Sequence, residues 1–113
     1  MTIEDISRII GGRIVAAPTT SRELTYGFAS DLMSDVLTLT AENVVLVTGL
    51  VSNQTIRTAA MADIPAVVLV RNKKATRDIV KLAEDSDIAL IECNTSMFKA
   101  AGMLYEAGLK AVY

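Results

Sequence analysis

The sequence has no histidine, no tryptophan and one cysteine, Cys93. Histidine is the commonest general base and the commonest neutral metal ligand, so histidine-dependent triads and ordinary zinc sites are excluded. A lone cysteine excludes an internal disulfide and a multi-thiolate metal centre. No apolar run approaches the ~18 residues of a membrane span, so no membrane partner is expected. The start, Met1-Thr2-Ile3-Glu4-Asp5, is acidic where a signal peptide is basic and then apolar. A cytoplasmic location is expected from that. Charge of one sign is also missing: eleven Lys and Arg against thirteen Asp and Glu leave a net charge of −2. The only basic cluster is Arg71–Lys74, too small for a phosphate-neutralising face, so nucleic acid is not an expected partner.

What is present is apolar. Hydrophobic residues make up 51% of the 113, and mean hydropathy is +0.40. Such a chain buries a core instead of remaining disordered. No linker, repeat or low-complexity tract divides it, so residues 1–113 are expected to form one domain. Ile3–Ile10 reads as a helix capped by Thr2 with Asp5 as a shortened capping box, stopped by Gly11-Gly12. Arg13–Ala17 reads as a strand, and Pro18–Tyr26 as a loop. Gly27–Ser30 is extended at most. Ser30 or Asp31 then caps a helix running to about Leu39. Strands are expected at Val44–Thr48, Ala66–Val70, Ile88–Ile91 and Lys110–Val112, and helices at Asn53–Asp63, Ala75–Glu84 and Thr95–Ala107. Val44-Val45-Val47, Val67-Val68-Val70 and Ile88-Leu90-Ile91 are uniformly apolar, as in strands covered on both faces. The alternation predicts an α/β fold, a three-layer α/β/α sandwich with a mainly parallel sheet of about four to five strands.

The stretch Ser21-Arg22-Glu23-Leu24-Thr25-Tyr26-Gly27-Phe28-Ala29-Ser30-Asp31-Leu32-Met33-Ser34-Asp35-Val36-Leu37 resembles the signature of the DRTGG domain family. So does Phe98-Lys99-Ala100-Ala101-Gly102-Met103-Leu104-Tyr105-Glu106-Ala107-Gly108-Leu109, and Ile9–Val15 fits the family's start. The resemblance extends to the N-terminal domain of HPr kinase/phosphorylase and to modules of phosphotransacetylases and CBS-domain pyrophosphatases. It implies a regulatory or dimerising role beside a catalytic protein. Ser21 and Tyr26 stand where the family motif has Asp and its first Gly. Arg22, Gly27, Ser30, Asp31, Ser34 and Asp35 are the motif-loop candidates.

Ligands of open parallel sheets bind beyond the carboxyl ends of the strands. Three loops are expected there. Thr48, Gly49, Ser52 and Asn53 lead into a helix whose free N–H groups suit an anion, although no P-loop is present. The loop of Arg71, Asn72, Lys73 and Lys74 offers three cations, Arg71, Lys73 and Lys74; Asn94 and Thr95 follow the next strand, with Thr95 as a helix cap. A phosphorylated small molecule is the ligand these loops suit, with a solvated turn as the plainer alternative. Cys93 lacks a base, so packing is its expected role. Asp31 and Asp35 lie one helical turn apart, but capping explains Asp31 better than a cation does. No catalytic residue, metal or cofactor is expected, and without a Walker motif, a kinase lysine motif or a histidine base phosphotransfer is not expected either. The final helix is apolar around most of its circumference, and Met97, Phe98, Met103 and Tyr105 are candidates for a homodimer interface, with the Asp31–Leu39 helix as the alternative. The expected function is therefore a non-catalytic, homodimeric regulatory module serving a separate catalytic protein. The alternative is a sensor of a nucleotide or other phosphorylated metabolite.

Overall fold

The computed structural model describes all 113 residues. It opens with helix α1 (Ile3–Ile10), where the Thr2 hydroxyl accepts from the Asp5 N–H at 3.1 Å and the Asp5 carboxylate accepts from the Thr2 N–H at 3.0 Å. Strands β1 (Arg13–Ala16) and β2 (Tyr26–Ala29) and the short helix α2 (Met33–Val36) follow. Then come β3 (Val44–Thr48), α3 (Asn53–Met61), β4 (Ala66–Leu69), α4 (Arg77–Asp85), β5 (Ala89–Glu92), α5 (Met97–Glu106) and β6 (Lys110–Ala111). One six-stranded sheet has the order β1-β5-β4-β3-β2-β6; every pairing is parallel except β1 with β5.

Handedness places the helices. The chain steps from β2 to β3 to β4 to β5 in one direction, and right-handed crossovers put α2, α3 and α4 on one face. It then returns across the sheet from β5 to β6, so α5 falls on the other face beside α1. The core divides accordingly. Val45, Val47, Val68 and Ile91 meet Ile6, Ile10, Ala100 and Leu104. Val44, Leu46, Val67 and Leu90 meet Met33, Val36, Ile56, Ala59, Ile79 and Ala83. Alternate residues of one strand thus feed opposite layers, which is why these runs carry no polar positions.

The layered α/β/α architecture is the one the sequence implies; the sheet has one strand beyond the expected four to five. The addition is β2, which pairs with β3 over four residues from Tyr26↔Val44 to Ala29↔Val47. Its Gly27 hides the strand signal, because glycine is depleted in strands. Here glycine admits Leu109, whose Cδ2 would lie 2.9 Å from an added β-carbon.

Helix α2 is shorter than the expected Asp31–Leu39. Asp31 does not cap it, Leu32 holds the cap position without a side-chain acceptor, and the Thr38 hydroxyl takes the Asp35 carbonyl at 2.6 Å as the chain leaves the helix. Helix α5 is capped by Ser96, not Thr95, with the Lys99 N–H donating to Ser96 Oγ at 3.1 Å. Helix α4 begins after Thr76.

Candidate functional site

Strand direction brings the three expected loops together at the carboxyl edge. The Val70 N–H donates to the Thr48 carbonyl at 3.0 Å, the Arg71 N–H to the Thr95 carbonyl at 2.7 Å, and the Asn72 N–H to the Cys93 carbonyl at 3.0 Å. Those bonds hold Arg71 (φ 61°) and Asn72 (φ 60°) in the left-handed region, with the Lys73 N–H closing the turn onto the Val70 carbonyl at 3.3 Å. Two such residues cost about 1–2 kcal/mol each, a strain that surrounding structure must hold in place. The turn lays the Arg71 guanidinium over Gly49, where a β-carbon would overlap Arg71 Nη2.

Asp31 completes this cluster. Its Oδ1 accepts from the Gly49 N–H at 2.7 Å and the Thr48 hydroxyl at 3.0 Å, and its Oδ2 meets Arg71 Nη2 at 3.3 Å. The Gly49 N–H, then the Thr48 hydroxyl and the Arg71 charge, hold the Asp31 carboxyl below its ordinary value despite an opposing burial effect. An internal carboxylate therefore occupies the donors that a ligand anion would use.

A group depressed in the folded state contributes stability above its unfolded pKa and loses that contribution as pH falls through the folded one. The stability difference between wild type and Asp31→Asn is expected to be present at pH 7 and to shrink as pH drops below about 4. Thermal midpoints across pH 2–7 check it; a difference that stays constant in acid contradicts this role. Asp31 is partly exposed, so solvent screening keeps the effect small.

Glu92, 4% exposed, anchors a second cluster that sequence reasoning missed. Its carboxylate accepts from Arg13 Nη2 at 2.9 Å and the Ala75 N–H at 2.8 Å, with Lys74 Nζ at 3.8 Å. The signal was a single charge closing an apolar strand one residue before Cys93. The cations at this edge thus have internal partners, Asp31 for Arg71 and Glu92 for Lys74, while Lys73 is exposed and forms no ion pair.

The remaining candidates are dispersed. Ser52 caps α3, accepting from the Thr55 N–H at 3.3 Å, and Asn53 and Asn94 are exposed. Cys93 is buried, its Sγ 3.3 Å from Thr95 Oγ1. Arg22 lies at the opposite, amino edge, 3.2 Å from Asn43 Oδ1 and 3.9 Å from Asp63. There Thr19 also donates to Asp87, so the loop between β1 and β2 runs past the turns that enter β3, β4 and β5. Gly27 lies in β2, Ser30 Oγ accepts from the Leu32 N–H at 3.0 Å, and Ser34 and Asp35 are exposed on α2. The motif residues consequently form no single cluster.

The α5 face carries a different feature. A groove of about 330 Å³ runs between α5 and the β2–β6 end of the sheet, floored by Gly27, Ala29, Val47, Leu109 and Ala111. Phe98 (90% exposed) and Tyr105 (70%) stand at its lip. Met97 instead packs against the core, and Met103 is half-buried outside the groove.

The fold is a DRTGG-like α/β fold. A solved structure with this fold is that of the CBS and DRTGG domains of the regulatory region of Clostridium perfringens pyrophosphatase, complexed with activator, diadenosine tetraphosphate. It aligns with a TM-score of 0.75 at 9% identity over 98% of this chain. This chain spans about half of that one, 48% of its length. No family model matches the sequence, and no curated protein matches it.

Proposed function

We propose that this chain is a non-catalytic regulatory module of the DRTGG family. Residues 1–113 act as one domain, as a homodimer, beside a separate catalytic protein in the cytoplasm. The observation that carries the reading is the apolar groove with Phe98 and Tyr105 at its lip. Exposed aromatics beside a concave apolar surface are the usual anchors of protein interfaces. At the carboxyl edge, by contrast, Cys93 is buried against Thr95, and the Thr48 hydroxyl that meets the Asp31 carboxylate is fully buried. The fold shared with a pyrophosphatase regulatory region supports the same assignment. Sedimentation velocity at micromolar concentration tests it, with a dimer as the expected result. A monomer at every accessible concentration, or phosphotransfer by the purified chain alone, would overturn it.

A second reading has its own observation. Thr48, Gly49 and Arg71 already converge on one anionic group, supplied by Asp31. A phosphorylated small molecule that displaces Asp31 would find those donors in place, with Lys73 nearby and the α3 amino end behind them. The activator of the pyrophosphatase region makes diadenosine tetraphosphate, ATP and AMP the first probes. A ligand at a hundredfold excess over its Kd stabilises the native state by about 2.7 kcal/mol, and Arg71→Ala should abolish that gain. If the thermal midpoint moves with none of the probes, the chain does not bind this class.

A further inference from the structure

The sheet is covered unequally. Three helices lie on one face, whereas α1 and α5 alone cover the other, and the β2–β6 end beyond α5 is the floor of the groove. We infer that α5 of a second copy fills this place, running antiparallel to the first α5 about a twofold axis between Ala101 and Gly102. The inference rests on the dimer proposed above and specifies its interface.

Three observations select this occupant. Phe98, Ala101, Gly102 and Tyr105 follow i, i+3, i+4, i+7 spacing, so they form one stripe beside the groove. An antiparallel copy centred between 101 and 102 sets each Phe98 against the partner's Tyr105, large residues at the ends and small ones in the middle.

Charge supplies the second. Lys99 and Glu106 are exposed, seven residues apart and on the same flank of the stripe. The twofold operation keeps that flank on the same side while reversing direction, so each Lys99 faces the partner's Glu106. A parallel twofold pairing would carry the two flanks to opposite sides of the interface and bring neither Lys99 to a Glu106.

Gly102 is the third. Glycine weakens a helix interior, yet a β-carbon at this position would meet nothing within 4 Å. The chain's own packing gives no reason for glycine at Gly102; close approach by a second helix does.

Sedimentation and size-exclusion with light scattering test the arrangement on the full chain and its exposed-site variants. Phe98→Asp is expected to weaken dimerisation roughly thirtyfold or more. Lys99→Glu or Glu106→Lys alone should each weaken it about tenfold, since two symmetric pairs become like-charged, and the double variant should return to within about threefold of wild type. Circular dichroism confirms that each variant folds. A dimer indifferent to all four changes overturns the α5 pairing and leaves the dimer itself standing. A wild type that is monomeric overturns both. A monomer whose groove instead takes up an apolar dye, with the uptake lost in Phe98→Asp, assigns the groove to a small apolar molecule and also overturns the pairing.

Discussion

Truncating Leu104 to alanine is expected to destabilise the fold by about 3 kcal/mol. Leu104 is 1% exposed and, with Ala100, is one of the two fully buried residues by which α5 enters the core. Ala100 offers only a methyl group and Met97 is only partly buried, so Leu104 is the largest fully buried side chain that holds α5 on the sheet. Removing three carbons loses their transfer energy and leaves a cavity continuous with the groove. Water can enter from the groove side, which keeps the cost at the middle of the roughly 2–5 kcal/mol range for such changes. A domain of this size has about 5–15 kcal/mol in all. The midpoint of thermal unfolding should fall by roughly 10–20 °C. Urea denaturation at matched protein concentration measures it, because dimerisation would add a mass-action contribution. Amide exchange should accelerate first in α5 and β6. A loss under about 1 kcal/mol, or exchange that accelerates equally everywhere, would show that α5 is held by something other than this contact.

The second large effect is Gly12→Ala, expected to cost about 2–3 kcal/mol, more than the same change at Gly11. The two adjacent glycines serve different needs. Gly11 ends α1 in the left-handed conformation (φ 64°), its N–H donating to the Arg8 carbonyl while the Gly12 N–H reaches the Ser7 carbonyl at 2.8 Å. A β-carbon on Gly11 meets nothing within 4 Å, so alanine there pays only conformational strain, about 1 kcal/mol. On Gly12 it would sit 2.8 Å from Ile91 Cγ2 and 2.9 Å from the Glu92 carbonyl oxygen. A backbone atom in the sheet cannot swing aside as a side chain can. The start of β1 must lift away, which strains the Arg13↔Glu92 pairing and the ion pair between the same two residues. Parallel denaturation curves for the two variants decide it; equal losses would mean that β1 gives way freely.

The sequence made the layers legible because valine-rich strands have no polar face and therefore no alternative to burial on both sides. The Thr2 cap of α1 was legible too, whereas Ser96 and not Thr95 caps α5. What failed was whatever depended on distant partners. Asp31 looked like a cap within its own segment, but its carboxylate is claimed by Gly49, eighteen residues on, and by Arg71, forty residues on. Glu92 meets Arg13 across seventy-nine residues, a pairing fixed by β1 running antiparallel at the sheet edge. Strand β2 was obscured because its glycine answers to Leu109, near the other end of the chain. The positions of the carboxyl-edge loops followed from topology alone, whereas their charge balance required the fold. The groove had only an indirect signal, a helix with more apolar residues than one buried face requires.

The return crossover through α5 has a consequence for biosynthesis. Strand β2 is made early, yet its outer neighbour β6 consists of Lys110 and Ala111. Until a ribosome has delivered those residues, the nascent polypeptide carries an unpaired β2 edge beside an incomplete apolar layer, an arrangement prone to edge-to-edge aggregation. Late arrival of this two-residue strand makes the interval between emergence and closure the vulnerable period, in which a holding chaperone would have most to protect.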